Sequence, residues 1–286
     1  IRNETNYKGQ INFYRHHLCH LASTYFPSGF SNALIVSYDG MGEIETGMIG
    51  IGDKGKIKII DDVNRYPHSL GLIYSALTFF LGWKHHCDEG IIMGLAPFGD
   101  YNAMVPNKKK TYLQFFEEIV LEKGPLNYQI DLSWIEYHKK RDTWISSKFE
   151  NTFGKKRNYD EDITDHHKNI AAALQKRLED VVLNQLKWLK RKFKKNKLCI
   201  SGGVGLNCSL NGKIEKSGIF EEIFVQPASG DAGISLGSAY LATSKFYNYK
   251  MLPQKNHNFY IGSRASEDEI NIALKNSKVS YKKFKS

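Results

Sequence analysis

Short apolar runs separated by glycine-rich turns characterise the first part of the chain. Residues 33–38 form a nearly continuous apolar run, and residues 46–52 and 56–60 alternate apolar positions with glycine or lysine. Runs of this length bounded by glycine turns predict three β-strands joined as an antiparallel meander. The longer segments 69–82 and 164–193 are predicted to be helices.

The last third of the chain alternates strand and helix. Residues 197–201 and 223–225 predict buried strands, whereas residues 208–216 and 234–241 predict helices. The complete order is βββαβαβα, which predicts an α/β fold. That order is typical of one lobe of the actin-like ATPases and sugar kinases, in which nucleotide lies between two such lobes with its phosphates facing the first hairpin.

Residues from about 101 to 163 interrupt this order. They are rich in aromatic and charged side chains, without clear periodicity. Residues 112–121 predict an amphipathic helix and residues 149–153 a second, shorter one. The interruption is therefore expected to be a helical subdomain over the cleft, which either serves packing or supplies an acceptor pocket. The pair His85-His86 just before it is assigned to a surface loop, with lining of the site as the alternative.

Glycine clusters follow three of the predicted strands. Gly40 and Gly42 follow Asp39 directly after the first strand, and their backbone N–H groups could cradle phosphate oxygens. Residues 202–205 come between a strand and a helix, and residues 229–233 come before the last helix. A strand, a glycine turn and a helix start bring backbone close to a nucleotide. Neither a Walker A loop nor a dinucleotide fingerprint is present, so the turns predict a different kind of nucleotide site.

Four side chains are candidate metal ligands. His16 and His20 are one helical turn apart, close enough for their imidazoles to share a cation. Asp39 and Asp231 stand in the glycine turns described above. This donor set suits Fe(II), Mn(II) or Zn(II) equally well on chemical grounds. His17 is the nearest spare imidazole for a general base, although a helix turns it about 100° away from His16.

Each of these residues also has a simpler interpretation. Two histidines at this spacing are often a surface pair or a satisfied half-buried pair. Asp39-Gly40 alone could be an ordinary hairpin turn, and Asp231 alone could be the N-cap of the following helix. Only the combination of all four favours a metal site beside a nucleotide.

Composition narrows the class of protein. The chain has 286 residues, enough for a sizeable core, and no apolar run approaches the length of a membrane span. Its four cysteines form no CxxC pair, which favours a reducing cytosol over a disulfide framework. The formal net charge of +10 comes largely from separate lysine clusters without interleaved aromatics, so a nucleic-acid surface is not expected. A positive field would still attract anionic substrates.

Five strings together resemble the O-carbamoyltransferases of the nodulation and antibiotic-tailoring type. In order along residues 14–245, they are His16-His17-Leu18-Cys19-His20-Leu21-Ala22, Tyr38-Asp39-Gly40-Met41-Gly42-Glu43, Asp88-Glu89-Gly90 through Met93-Gly94-Leu95-Ala96-Pro97-Phe98-Gly99, Gly202-Gly203-Val204-Gly205-Leu206-Asn207-Cys208 and Pro227-Ala228-Ser229-Gly230-Asp231-Ala232-Gly233. One departure is Ile91, which stands where the family usually has lysine.

The resemblance implies a site and a reaction. An iron-type divalent ion would be held by His16, His20, Asp39 and Asp231, next to ATP or carbamoyl-adenylate. The expected nucleotide-binding residues are Gly40, Gly42, Glu89, Gly202, Gly203, Val204, Asn207 and Gly230. A side chain at Gly203 would then exclude the nucleotide and leave the metal in place. The carbamoyl group, supplied by ATP and carbamoyl phosphate, would pass to a hydroxyl of a small-molecule or sugar acceptor.

The resemblance also implies a domain division. Residues 1–31 would be the remnant of a first actin-like lobe, residues 32–248 the second lobe, and residues 249–286 a linker toward an absent domain that forms carbamoyl-adenylate. The chain alone is then expected to be inactive from ATP and carbamoyl phosphate, and exposed apolar surface would favour homo-oligomers. A general base could come from the absent early segment.

Three alternative functions remain open at this point. The first is a tRNA threonylcarbamoyl transferase-like enzyme of the same fold. The second is a non-catalytic nucleotide-binding module, which would not need intact metal ligands. The third is hydrogenase maturation, which would need an acylphosphatase and a zinc-finger region that the sequence does not show.

Overall fold

The computed structural model describes residues 4, 7–61, 64–140, 142–246, 252–255, 258–259, 262–282 and 284. Its strands are β1 (Asn32–Tyr38), β2 (Gly47–Asp53), β3 (Lys56–Asp61), β4 (Val120–Glu122), β5 (Tyr128–Ile130), β6 (Lys197–Ser201) and β7 (Glu222–Val225). Its α-helices are α1 (His16–Tyr25), α2 (Leu70–Phe80), α3 (Glu89–Leu95), α4 (Tyr112–Ile119), α5 (Ser147–Phe153), α6 (Asp165–Phe193), α7 (Cys208–Lys216), α8 (Ile234–Phe246) and α9 (Glu267–Ser277).

The central sheet has five strands in the order β3-β2-β1-β6-β7. The first three strands are antiparallel, and β1, β6 and β7 run parallel to one another. Because β1 and β6 are parallel neighbours, the turns after them emerge at the same edge of the sheet. The βββαβαβα order and the α/β class predicted from the sequence are confirmed.

Both faces of β1 are buried. Leu34, Val36 and Tyr38 point into a large core shared with α2, α6 and the segment 101–163. Ala33 and Ile35 point to the other face, where α1 and α8 cover the sheet. Successive side chains of a strand alternate between faces, so a continuous apolar run is what a strand between two helical layers requires.

The segment 101–163 contains α4, α5 and the small β4–β5 hairpin. Both predicted helices are present, but the first ends at Ile119 and not at residue 121. Val120 pairs with Ile130 in the hairpin, so its backbone hydrogen bonds go to β5 and not to a further helical turn. The subdomain is thus not purely helical.

The segment 101–163 contacts the rest of the fold through the residues that precede α2. The hydroxyl of Tyr137 donates to the carbonyl of Pro67 at 2.8 Å, and the backbone N–H of Ile130 donates to Nδ1 of His68 at 3.2 Å. Ser69 then caps α2 by accepting from the N–H of Leu72. The insertion is therefore coupled to the start of α2.

Acidification is expected to weaken this coupling through His68. Burial lowers the pKa of His68 from its usual value, so the unfolded chain binds this proton more readily than the native one. Stability from this residue is therefore present above about pH 6.5 and lost as the pH falls below it. His68→Asn keeps an acceptor for Ile130 but does not titrate, so its urea-unfolding free energy should fall less between pH 7 and pH 5 than that of the wild type. Parallel curves would contradict the assignment.

Helices α1 and α8 lie against each other on one face of the sheet. Gly237 of α8 faces the backbone of α1 so closely that a Cβ there would lie 1.9 Å from the carbonyl oxygen of Cys19. Only glycine permits this approach. The contact joins an early and a late segment of the chain, although α1 falls within the stretch assigned from the sequence to a first lobe.

The chain divides into two compact units, residues 1–255 and 256–286. The second contains α9, whose first turn is closed by a capping box between Ser266 and Glu269. The boundary expected at residues 248 and 249 lies outside the described residues, and the domain assignment remains a prediction. Among the described helices, none is long and apolar enough to cross a membrane.

Candidate metal and nucleotide site

Three elements bring the four candidate metal ligands together. His16 and His20 lie one turn apart on α1, Asp39 directly follows β1, and Asp231 opens the short 3₁₀ turn before α8. One nitrogen or oxygen from each residue lies within 4.8 Å of all the others. The predicted ligand set therefore converges in space, although its residues are up to 215 positions apart in the sequence (231 − 16).

The ligand atoms of the four residues point toward one another and not toward other groups of the protein. Nε2 of His16 and Nε2 of His20 are 3.1 Å apart, and both are near Oδ2 of Asp39, at 2.9 and 3.2 Å. Oδ1 of Asp231 lies 3.4 and 3.6 Å from the same two nitrogens. Two imidazole nitrogens directed at one point between carboxylates suit a shared divalent cation.

The surroundings of Asp39 also favour the charged form of its carboxyl group. Burial alone would raise the pKa of Asp39, but hydrogen bonds from His16 and His20 outweigh it and hold that pKa well below the usual range. Asp39 is therefore ionised, as a ligand must be. Nδ1 of His20 is buried without a hydrogen-bond partner among the described residues, so the usual outer partner of a metal-bound imidazole is lacking there.

Two hydrogen bonds from neighbouring loops fix the position of Asp39. The N–H of Gly203 donates to Oδ1 of Asp39 at 2.9 Å, and the hydroxyl of Ser69 donates to its carbonyl oxygen at 2.9 Å. The Gly202 backbone has φ +89°, and a Cβ there would lie 2.2 Å from the carbonyl oxygen of Tyr38. The glycine turn after β6 thus holds the metal-side carboxylate, a role that the sequence did not indicate.

A cavity of about 750 Å³ opens beside these ligands. Its volume is in the range of small-molecule sites. Asp39 and Asp231 line it, together with six of the eight predicted nucleotide-binding residues: Gly40, Glu89, Gly203, Val204, Asn207 and Gly230. The other two do not line it. Gly202 lies against Tyr38, and Gly42 lies against the rings of His16 and His17.

Two of the polar residues at the cavity already have partners within the protein. Oε1 of Glu89 accepts from the hydroxyl of Ser75 and from the backbone N–H of His86, each at 2.6 Å. Asn207 caps α7 through its Oδ1 and exchanges hydrogen bonds of 2.8 and 3.0 Å with the amide of Gln175. Their side chains are therefore held in defined orientations before any ligand arrives.

His17 lies behind the ligands, away from the cavity. It is buried, its Nε2 faces the carbonyl oxygen of Glu45 and its Nδ1 faces the hydroxyl of Ser37, both at 2.9 Å. A carbonyl can only accept, so Nε2 carries the proton and Nδ1 accepts from Ser37. Burial lowers the pKa of His17, which keeps it neutral. Both nitrogens are occupied, so this geometry does not support a general base.

His86 and Cys87 lie in an exposed turn and also line the cavity, so His86 satisfies both the surface-loop assignment and its alternative, lining of the site. The sequence offered one signal, their position just before Asp88-Glu89. That signal could not show which of the two adjacent imidazoles faces the cavity.

Residues 1–240 match the family model described as the carbamoyltransferase N-terminus. The chain belongs to this carbamoyltransferase family. The resemblance seen in the five sequence strings is thereby confirmed.

Curated relatives of this carbamoyltransferase chain include the nodulation protein NolNO of Sinorhizobium fredii. It is 35% identical over 238 residues, which cover 82% of this chain and 32% of that protein. A shorter match, 45% identical over 49 residues, covers 17% of this chain and 9% of the 3'-hydroxymethylcephem-O-carbamoyltransferase of Streptomyces clavuligerus. The chain spans 32 to 42% of the length of the first curated relatives it matches.

Among solved structures, full-length HypF in a phosphate- and nucleotide-bound form is similar to this carbamoyltransferase chain. The TM-score is 0.42 at 15% sequence identity, and the match covers 85% of this chain and 45% of that one.

Proposed function

We propose that this chain carries the transfer centre of an O-carbamoyltransferase. It would bind carbamoyl-adenylate, formed from ATP and carbamoyl phosphate, and pass the carbamoyl group to an acceptor hydroxyl. The observation that carries the proposal is that the four candidate metal ligands converge and that two of them, Asp39 and Asp231, line one cavity together with residues of the predicted nucleotide turns. Family membership supplies the group that is transferred.

The cavity suits an anionic nucleotide. The first turn of α2 lines it through Gly71, and the N-cap of α7 lines it through Asn207, while the N–H of Leu72 is already bonded to Ser69 and that of Leu210 to Asn207. Helix N-termini carry unpaired N–H groups and a partial positive charge, which favour phosphate oxygens. Gly40 has no atom closer than 3.8 Å to the position of a Cβ, so backbone there is open to a ligand. The phosphate is therefore assigned to the Asp39-Gly40 turn, and the adenosine to the side formed by Gly203, Val204 and Asn207.

A divalent ion held by His16, His20, Asp39 and Asp231 would supply Lewis-acid polarisation of a bound carbonyl or phosphate oxygen. The preference for Fe(II) over other ions comes from the family resemblance. The protein's own contribution is to keep Asp39 ionised through His16 and His20 and immobile through Gly203 and Ser69.

The transfer itself is an acyl substitution. The acceptor oxygen forms a bond to the carbamoyl carbon, the bond from that carbon to the phosphate oxygen breaks, and AMP leaves. Positioning of two reactants in one cavity removes much of the entropic barrier to such a step. A hydroxyl acceptor is supported by the Streptomyces relative, which is named as an O-carbamoyltransferase. The four cysteines are free, in accord with a cytoplasmic protein.

The test supplies carbamoyl-adenylate directly to the purified, iron-loaded chain with glycerol, methyl glucoside, N-acetylglucosamine or kanamycin as acceptor. We expect a carbamoylated product, detected by mass spectrometry, with one AMP released per product. A parallel reaction with ATP and carbamoyl phosphate measures whether the chain also forms the adenylate.

One outcome would contradict the proposal, and another would extend it. Nucleotide binding without transfer to any of the four acceptors would favour a non-catalytic module. Turnover from ATP and carbamoyl phosphate at the same rate as from carbamoyl-adenylate would show that adenylate formation also belongs to this chain.

A further inference from the structure

The cavity has a third wall that neither the metal turn nor the nucleotide turns provide. It is formed by the loop before α3, which contributes His86 and Cys87, and by Glu89 at the start of that helix. His86 has a left-handed backbone with φ +59°, and its N–H donates to Oε1 of Glu89. Positive φ is uncommon outside glycine, and residues held there cluster at functional sites.

Aromatic contacts hold the His86 ring in place. The ring meets that of His85 edge-on, with centroids 4.9 Å apart and planes at 82°, and lies 5.4 Å from the ring of Trp144. His85 in turn lies 4.4 Å from Trp144, which is buried in the insertion. The insertion therefore fixes the direction in which this imidazole faces.

The ring nitrogens of His86 are not engaged by other groups of the described protein. His17 uses both of its nitrogens within the protein, and Nε2 of His16 and Nε2 of His20 face the two aspartates. Within the described part of the chain, no hydrogen bond engages the ring of His86; its backbone alone bonds Glu89. An exposed imidazole with a free lone pair can accept a proton from a hydroxyl.

We propose that His86 is the catalytic residue on the acceptor side, and that the insertion serves to present it. This inference rests on the proposed carbamoyl transfer. As the acceptor oxygen attacks the carbamoyl carbon, its proton passes to the free ring nitrogen of His86. The bond to the phosphate oxygen breaks, AMP leaves, and the imidazolium returns its proton to solvent. The acceptor hydroxyl would therefore lie between the Asp39 turn and the loop before α3.

The experiment compares His86→Asn and His86→Ala with wild type in the carbamoyl-adenylate reaction, with methyl glucoside, glycerol, N-acetylglucosamine and kanamycin as acceptors. Asparagine tolerates the left-handed backbone but cannot take the proton. We expect the transfer rate to fall about 100-fold or more in both variants. Added imidazole should restore part of the rate in His86→Ala, which a purely structural role would not allow. AMP affinity and metal content should stay within about twofold of wild type.

His138→Asn serves as the control, because His138 is a histidine of the insertion that does not line the cavity. A wild-type rate in His86→Asn would overturn the inference and leave the proposed function intact. Loss of AMP binding in both variants, or failure of imidazole to restore any rate, would assign His86 a structural role. Absence of transfer by wild type itself would reject the proposed function, and the role of His86 with it.

Discussion

The Asp39→Asn variant is expected to lose divalent metal, with an affinity more than about 100-fold below that of the wild type. Asp39 is the carboxylate nearest to both imidazoles, at 2.9 and 3.2 Å from their Nε2 atoms. Removing a group that only hydrogen-bonds to a metal ligand lowers the metal affinity about 10- to 100-fold. Removing a direct ligand should therefore lower the metal affinity by more than that. Metal content after dialysis against Fe(II), measured by plasma mass spectrometry, gives the result.

The fold should survive this change. An asparagine at position 39 keeps an oxygen for the N–H of Gly203 and keeps the carbonyl that Ser69 bonds. Circular dichroism of the variant should therefore match that of the metal-free wild type. Asp162→Ala, at an exposed aspartate that is not among the candidate ligands, is the control. Full metal occupancy in Asp39→Asn would reject the ligand assignment.

The Gly203→Val variant is expected to lose both metal and nucleotide. The sequence predicted loss of nucleotide alone. However, a Cβ at position 203 would lie 2.8 Å from Oδ1 of Asp39, the same oxygen that the Gly203 N–H binds. A branched side chain must displace the carboxylate as well as fill the cavity. Calorimetric titration with AMP, together with metal analysis, should show both affinities reduced at least about tenfold.

The control for this variant is Gly212→Ala in α7, where a Cβ would meet no atom within 4 Å. It should bind AMP and metal as the wild type does. If Gly203→Val lost AMP but kept its metal, the bond from Gly203 would not be what holds Asp39 in position.

The sheet was predictable because few structures other than buried strands fit the apolar pattern of these segments. Apolar runs 33–38 and 197–201 are each followed by a glycine turn, and they became β1 and β6 with bounds that differ by at most one residue. The β4–β5 hairpin was not predictable. Its strands have three residues each, too short for a periodic signal, and they form because they pair with each other.

The candidate site, like the sheet, was predictable from the sequence only in part. His16, His20, Asp39 and Asp231 were proposed from spacing and glycine context, and their atoms converge. The positions of His17 and His86 depend on contacts with distant residues, such as that between His86 and Trp144. No local pattern contains such a contact. Whether a histidine faces a cavity or the carbonyl of Glu45 is decided by the packing of the whole unit.

The contact of Gly237 with Cys19 has a thermodynamic consequence. It packs α8, which begins just after Asp231, against α1, the helix that carries His16 and His20. An ion bound to all of these residues would act as a reversible cross-link between the two ends of the folded unit, absent from the unfolded chain. At an ion concentration 100 times the dissociation constant, such linkage adds about 2.7 kcal/mol to the free energy of unfolding. The melting temperature would then depend on the free metal concentration, and a chelator would weaken the packing contact between α1 and α8.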